Sequence, residues 1–163
     1  NELTFAAASK PVVGFVPPAW SQKLDAANRF ELVLDAAAVL DKETGLVWER
    51  SPDSLARNWV NAVRAAYNKD IGGRRGWRLP TIEELASHVD TSVSGTPKLP
   101  SGHPFTNVQA GSGDYWSATF SPSYSDAAWV VSFGSGSVDD SNGYVTYTLY
   151  IWCVRGGHGY DAR

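Results

Sequence analysis

Three histidines and one cysteine are the side chains of this sequence best suited to acid–base, nucleophilic or metal chemistry, and their spacing gathers none of them together. His88 falls in a helical stretch, where a partly exposed structural role is expected. His103 precedes Pro104 in a loop, and His158 stands in a glycine-rich tail. Cys153 lies within Ile151-Trp152-Cys153-Val154, and these flanks predict a buried, inert thiol, because a reactive cysteine needs an electropositive, accessible setting. No Ser or Cys has a recognisable activating neighbour. Nucleophile-elbow, Walker A, zincin and dinucleotide-binding signatures are all missing. One cysteine excludes an internal disulfide framework, a cysteine-rich zinc site and an iron–sulfur cluster. Asp139-Asp140-Ser141-Asn142-Gly143 offers oxygen ligands and a glycine turn, but lacks the spacing and closing Glu of a full calcium loop. A hairpin tip accounts for it more cheaply. Neither an enzyme nor a resident cofactor is expected.

Binding chemistry is better represented. Between Lys98 and Arg155 there is no Lys, Arg or Glu. The segment is rich in Ser, Gly, Asp and Thr, and it holds Tyr115, Tyr124, Tyr144, Tyr147 and Tyr150. Tyrosine gives large, stiff contact area at small entropy cost, and small polar residues adapt their hydrogen bonds to it, as in antibody loops. The run Ala128 to Phe133 (AWVVSF) alternates, so Trp129, Val131 and Phe133 are expected to point inward and Val130 and Ser132 outward. Around the latter pair the candidate ligand-binding residues are Ser123, Tyr124, Ser125, Gly134, Ser135, Ser137, Asp139, Asp140, Ser141, Asn142, Tyr144, Tyr147 and Tyr150. Tyr124, Tyr144, Tyr147 and Tyr150 are the expected anchors. An ordinary Ser/Gly-rich β region is the competing reading. The lack of cations argues against sulfated polysaccharide or phosphate as ligand of this face. The basic residues Arg74, Arg75 and Arg78 cluster instead around Gly76-Trp77. There a turn with Arg78 in an internal salt bridge, and the other two solvated, is favoured over an anion site.

The elements that must position these residues follow from patterning. The 163 residues are 43% hydrophobic and 19% charged, a globular composition for one domain with an ordinary core. A net charge of −3 and a pI near 5.5 disfavour a general nucleic-acid or anionic-membrane binder. The apolar runs are too short to span a membrane. There is no Met, so the chain is read as a processed or trimmed form, which leaves room for a signal or lipid-anchor segment that was removed. Residues 1–29 read as a loosely ordered arm, broken at Lys10-Pro11 and Pro17-Pro18, with Val12, Val13, Phe15, Val16 and Trp20 able to pin it to the body or a partner. Residues 30–157 form the domain and 158–163 a tail. Phe30–Leu34, Ala38–Leu40 and Leu46–Arg50 read as strands, the last two joined by the Asp41–Gly45 turn. Ser51 to Ser54 supplies a stop and an N-cap for a helix from Leu55 to Asn68, whose apolar face is Leu55, Trp59, Ala62, Val63, Ala66 and Tyr67. Thr81 and Glu84 have capping-box spacing for a second helix burying Ile82, Leu85, Ala86 and Val89. A Ser/Gly/Pro loop follows to Pro104. Tyr115–Phe120, Ala128–Phe133 and Tyr150–Arg155 read as strands, with a short strand at Ser137–Asp139. The order of elements is that of an α+β domain.

Several of these segments together resemble one family. They are Asp41-x-x-Thr44-Gly45-Leu46-Val47-Trp48, Trp59, Gly76-Trp77-Arg78-Leu79-Pro80-Thr81-Ile82-x-Glu84-Leu85, Tyr115-Trp116-Ser117-Ala118-Thr119, Ala128-Trp129 and Cys153-Val154-Arg155-Gly156-Gly157. From about Arg29 to Gly157 the chain resembles the bacterial domain family named after the C-terminal domain of the Legionella collagen-like adhesin. The resemblance implies a C-type lectin-like fold, in the branch that includes the formylglycine-generating enzyme. Two helices would flank a small, twisted antiparallel sheet whose first and last strands bring the ends of the matched region together. Trp48, Trp59, Trp77, Trp116, Trp129 and Trp152 would be largely buried. Members are mostly secreted or surface-anchored ligand-binding modules. Many carry a cysteine in or after the first helix to partner the late one; here that region reads Ala66-Tyr67-Asn68. The catalytic cysteines of the enzyme branch have no counterpart. A narrower resemblance is to the variable proteins of diversity-generating retroelements, in which a C-terminal segment is rewritten at Asn-type codons, giving Ser, Gly, Asp and Tyr, while the scaffold stays fixed. The expected function is therefore non-enzymatic binding of an unidentified protein or glycan through a diversified C-terminal receptor face. A fixed-specificity surface lectin or adhesin, calcium-assisted through Asp139 and Asp140, is the alternative.

Overall fold

The structure, a computed structural model, describes residues 24–111 and 113–157. Most of the expected arm, with Trp20, and the tail with His158 lie outside the described residues. Asp25 accepts the Asn28 N–H at the start of a single helical turn, α1 (Ala26–Arg29). Three strands follow in a meander: β1 (Phe30–Val33), β2 (Ala38–Asp41) and β3 (Leu46–Glu49). Next come α2 (Trp59–Asn68) and α3 (Ile82–Ala86), then β4 (Tyr115–Phe120), β5 (Ala128–Val131), β6 (Val138–Asp139) and β7 (Val154–Arg155). Two antiparallel sheets result, ordered β1-β2-β3-β7 and β4-β5-β6. The described chain is α+β, with three helices and these two small sheets.

Local chemistry explains the boundaries. Thr81 and Glu84 form the expected capping box, and Glu84 also holds Arg78 through paired bonds of 2.7 and 2.8 Å. Arg74 and Arg75 are exposed. The first long helix begins later than expected. Asn58, not a residue of Ser51–Ser54, caps α2, because Arg57 is drawn into a backbone bridge with Leu149 and holds the preceding stretch extended. Of its expected apolar face, Ala62 and Ala66 are buried, Trp59 is half-buried, and Leu55, Val63 and Tyr67 are exposed.

Tyr150–Arg155 is not one strand. Only Val154 and Arg155 pair with β3, and Tyr150 makes an isolated parallel bridge to Tyr115. The residues between thread from one sheet to the other. The first and last strands share a sheet but occupy opposite edges, since β7 pairs with β3 and not with β1.

Two apolar cores flank this threading segment. One gathers Phe30, Val39, Trp48, Leu85, Tyr115, Val131, Phe133, Trp152 and Val154 with their neighbours. The other gathers Ala62, Ala66, Trp77, Leu79, Trp116, Ala128, Val130, Ile151 and Cys153 with theirs. Trp48, Trp77, Trp116 and Trp152 are fully enclosed, whereas Trp59 and Trp129 are only half-buried, against expectation. Large aromatic burial supplies much of the core's stabilisation, at about 25 cal/mol per Å² removed from water.

Arg29 belongs to this body. Its guanidinium is fully buried and grips Asp41 through Nε and Nη2 at 2.9 and 2.7 Å, and it reaches the Ser87 carbonyl. The Arg29 bond and charge outweigh burial and hold the Asp41 carboxyl below the usual carboxylate range. Nothing in the spacing of these residues announces the pair.

Candidate ligand-binding face

β5 carries the face, but not as alternation alone suggests. Val130 does point away from Val131 and Phe133; it is nonetheless 1% exposed, because that side of the strand is covered by the second core. Val130 is a core residue and leaves the candidate set. Trp129, expected inside, is half-buried and belongs to neither core. The pairing of β4 with β5 shifts register between Trp116 and Phe120, which breaks the simple in–out pattern at this position.

Past the two ends of β5 the chain forms the surface. Tyr124, Tyr144 and Tyr147 lie in a row, with ring centroids 6.0 Å apart for the first pair and 5.5 Å for the second. Tyr124 is 39% and Tyr147 51% exposed, and Tyr144 is intermediate. Backbone bonds hold the two segments side by side: Ala128 N–H to the Gly143 carbonyl, and Val145 N–H to the Asp126 carbonyl at 2.9 Å. Gly143 is required there, since a Cβ would come within 1.7 Å of the Ala128 oxygen.

A buried polar brace fixes the Tyr124 loop. Asp140 is 5% exposed and accepts the Ser121 hydroxyl at 2.7 Å. That hydroxyl in turn accepts the Ser123 and Tyr124 N–H groups at 2.9 and 3.0 Å. Asp140 is thus a positioning residue beneath the face and not an exposed contact, contrary to expectation. Asp139 accepts both the N–H and the hydroxyl of Ser141, a local turn.

The remaining candidates separate into two groups. Ser123, Ser125, Ser135, Ser137, Ser141 and Asn142 are exposed, and Ser132, Gly134 and Asp139 partly so. Tyr150 stands apart from the tyrosine row: its ring packs on Tyr115 at 5.7 Å and covers Gly113, so it supports the core. Ser132 bonds Asp114, whose carboxyl is raised by burial, with the neighbouring Asp139 charge adding to the shift.

Of the residues of catalytic type, His88 and Cys153 pack among core side chains. His88 is completely buried, not partly exposed as expected. Its ring lies 4.2 Å from that of Trp48 and stacks on Trp152, and neither nitrogen has a partner. Burial, assisted by the Arg29 charge, lowers its pKa to about 3. Cys153 is a free, buried thiol, raised by burial. Among the described residues no three His, Cys, Asp or Glu side chains are gathered to hold a metal ion.

A second surface feature escaped the sequence reading. Trp59, Val63 and Tyr67 of α2, with Trp77, Leu79, Ala118 and the Arg78–Glu84 pair, line an open groove of about 440 Å³. The helical periodicity marking these apolar residues is the same whether they face a core or a groove.

No curated protein matches the chain. No described helix is long and apolar enough to cross a membrane. The family model of the Lcl C-terminal domain matches residues 37–155, which covers both sheets beyond β1, most of both cores and the tyrosine row. The chain belongs to the Lcl C-terminal domain family.

Proposed function

We propose that this protein is a non-enzymatic, adhesin-like binding module of the cell surface or secreted space, with a C-type lectin-like fold. Its contact surface is the row Tyr124, Tyr144 and Tyr147 with the exposed Ser and Asn residues around it. The observation that carries this reading is three tyrosines presented side by side on irregular backbone that a buried Ser121–Asp140 brace holds in place. Rigid aromatic anchors on a fixed scaffold lose little entropy on binding. We further propose that the segment between Ser121 and Tyr150 is the diversified part of a retroelement variable protein. Its Ser, Gly, Asp, Asn and Tyr content supports this, as does its position between the scaffold segments YWSAT and WCVRGG.

The test uses single Tyr→Ala variants. Tyr124→Ala and Tyr147→Ala are expected to keep stability within about 0.5 kcal/mol, since both residues lie at the surface outside the two cores. At least one variant of the row should lose about 2 kcal/mol of affinity for a partner selected from protein and glycan arrays. Tyr150→Ala should instead unfold more readily. Unfolding of all the row variants would show these residues to be core, and would refute the reading. For the diversification, sequencing of this gene across isolates should find changes concentrated in codons 121–150; an even spread along the gene would refute it.

A further inference from the structure

The charges of this domain are segregated. Among the described residues the ion pairs join Arg29 to Asp41 and Glu43, Lys42 to Glu31, Arg57 to Asp53, Lys69 to Glu49 and Asp53, Arg75 to Asp70 and Arg78 to Glu84, all before the tyrosine-bearing segment begins. That later segment, from Leu99 to Val154, holds four aspartates, Asp114, Asp126, Asp139 and Asp140, and not one Lys, Arg or Glu. None of the four has a cationic partner among the described residues. Asp140 is spent on the Ser121 brace and Asp114 on Ser132. Asp126 is different. It is exposed, it lies two residues from Tyr124, and its carbonyl accepts from Val145, the neighbour of Tyr144. An exposed acidic residue with no cationic partner among the described residues therefore sits on the backbone that carries Tyr124 and that pairs with the strand-like stretch beside Tyr144.

We propose that this face takes a cationic side chain, presented by an arginine- or lysine-bearing segment of a partner polypeptide. The inference rests on the reading of the tyrosine row as a binding surface and specifies its ligand. An ammonium or guanidinium group is attracted to an aromatic face within about 6 Å of its centroid. The ring spacings of 5.5 and 6.0 Å allow one such group to meet two rings at once. Asp126 supplies the opposite charge, and the aliphatic stem of the incoming residue covers ring surface. The field of uncompensated aspartates draws a basic partner in and turns an anionic one away. A neutral ligand would use the rings and hydrogen-bond the carboxylates, but would gain no charge attraction and no salt dependence.

The test is selection of a random twelve-residue peptide display library on the full chain. Counter-selection is made on the Tyr124→Ala/Tyr144→Ala/Tyr147→Ala triple variant, shown to be folded by its thermal melt. Recovered peptides are expected to be enriched in Arg or Lys. Their affinity should fall at least tenfold in Asp126→Asn, and about tenfold between low and high salt. It should be unchanged in Asp70→Asn, an exposed acid outside the face. Peptides that discriminate against the triple variant but are neutral or acidic, or that ignore Asp126→Asn, would overturn this inference while leaving the binding surface intact. No peptide discriminating between wild type and the triple variant would remove both.

Discussion

Replacing Asp140 by Ala tests whether the face is held in shape from beneath. The Asp140 carboxylate accepts one charge-assisted bond, from Ser121 at 2.7 Å, in a site with 5% exposure. Bonds of this kind contribute about 1.5–3 kcal/mol, less what the aspartate loses by being buried, so Asp140→Ala should cost about 1–2 kcal/mol. Ser121→Ala removes the same bond and strips the Ser123 and Tyr124 N–H groups of their acceptor, which adds the cost of two unsatisfied donors. A double-mutant cycle read by chemical denaturation should give a coupling of about 1 kcal/mol or more. Hydrogen exchange supplies a second readout. The amides of Ser123 and Tyr124 should exchange about tenfold faster in either variant, since a local loss near 1.4 kcal/mol is tenfold in opening. Single effects that add within about 0.3 kcal/mol, with unchanged exchange at these two amides, would refute the brace.

Asp41→Ala takes from the buried Arg29 cation its two-bond partner, leaving Glu43 at 3.6 Å, and should destabilise the domain by about 3 kcal/mol, measured by urea unfolding. In the unaltered protein the folded Asp41 carboxyl titrates below its ordinary value. Its contribution is therefore complete above about pH 4 and is lost as pH falls through the lowered pKa. His88 has a separate acid window. Its folded pKa of about 3 lies below the ordinary 6.5, so the unfolded chain takes up the proton first and stability falls as pH drops from 6.5 towards 3. His88→Leu should be neutral or stabilising at pH 7, and should flatten the pH–stability profile across that interval. Gly143→Ala forces a methyl group into the Ala128 carbonyl; the melting temperature should fall and the Tyr144 ring should lose its place in the row, visible in its NMR shifts.

Local signals in this sequence were dependable where one element satisfied its own backbone. Thr81 and Glu84 cap their helix as their spacing implies, and the β2–β3 turn forms at Asp41–Gly45. The Arg78 salt bridge also lies close in sequence, to Glu84. Expectations failed where a distant partner decided the outcome. Asn58 caps α2 because residue 57 is tied to residue 149, a contact 92 positions away along the chain. Val130 alternates correctly, yet a second core, assembled from α2, Trp77 and Ile151, closes over it. His88 looks like a surface helix residue until four aromatic rings from four other regions enclose it. At the face, composition marked the tyrosine-bearing segment but could not separate Tyr150, which packs inward, from the three that form the row.

The segment threading between the sheets has a bearing on synthesis. Ile151 and Cys153 enter one core while Trp152 and Val154 enter the other, and Trp152 donates its indole N–H to the Glu49 carbonyl 103 residues earlier. Neither core is complete until these four residues have left the ribosome. The surface loops, made just before them, are therefore always translated ahead of the pieces that let the domain close. A chain that stops anywhere in those loops lacks all four residues, so both of its cores stay open and its apolar side chains are left to proteases. Closure of the domain thus depends on the loop segment being read through to its end.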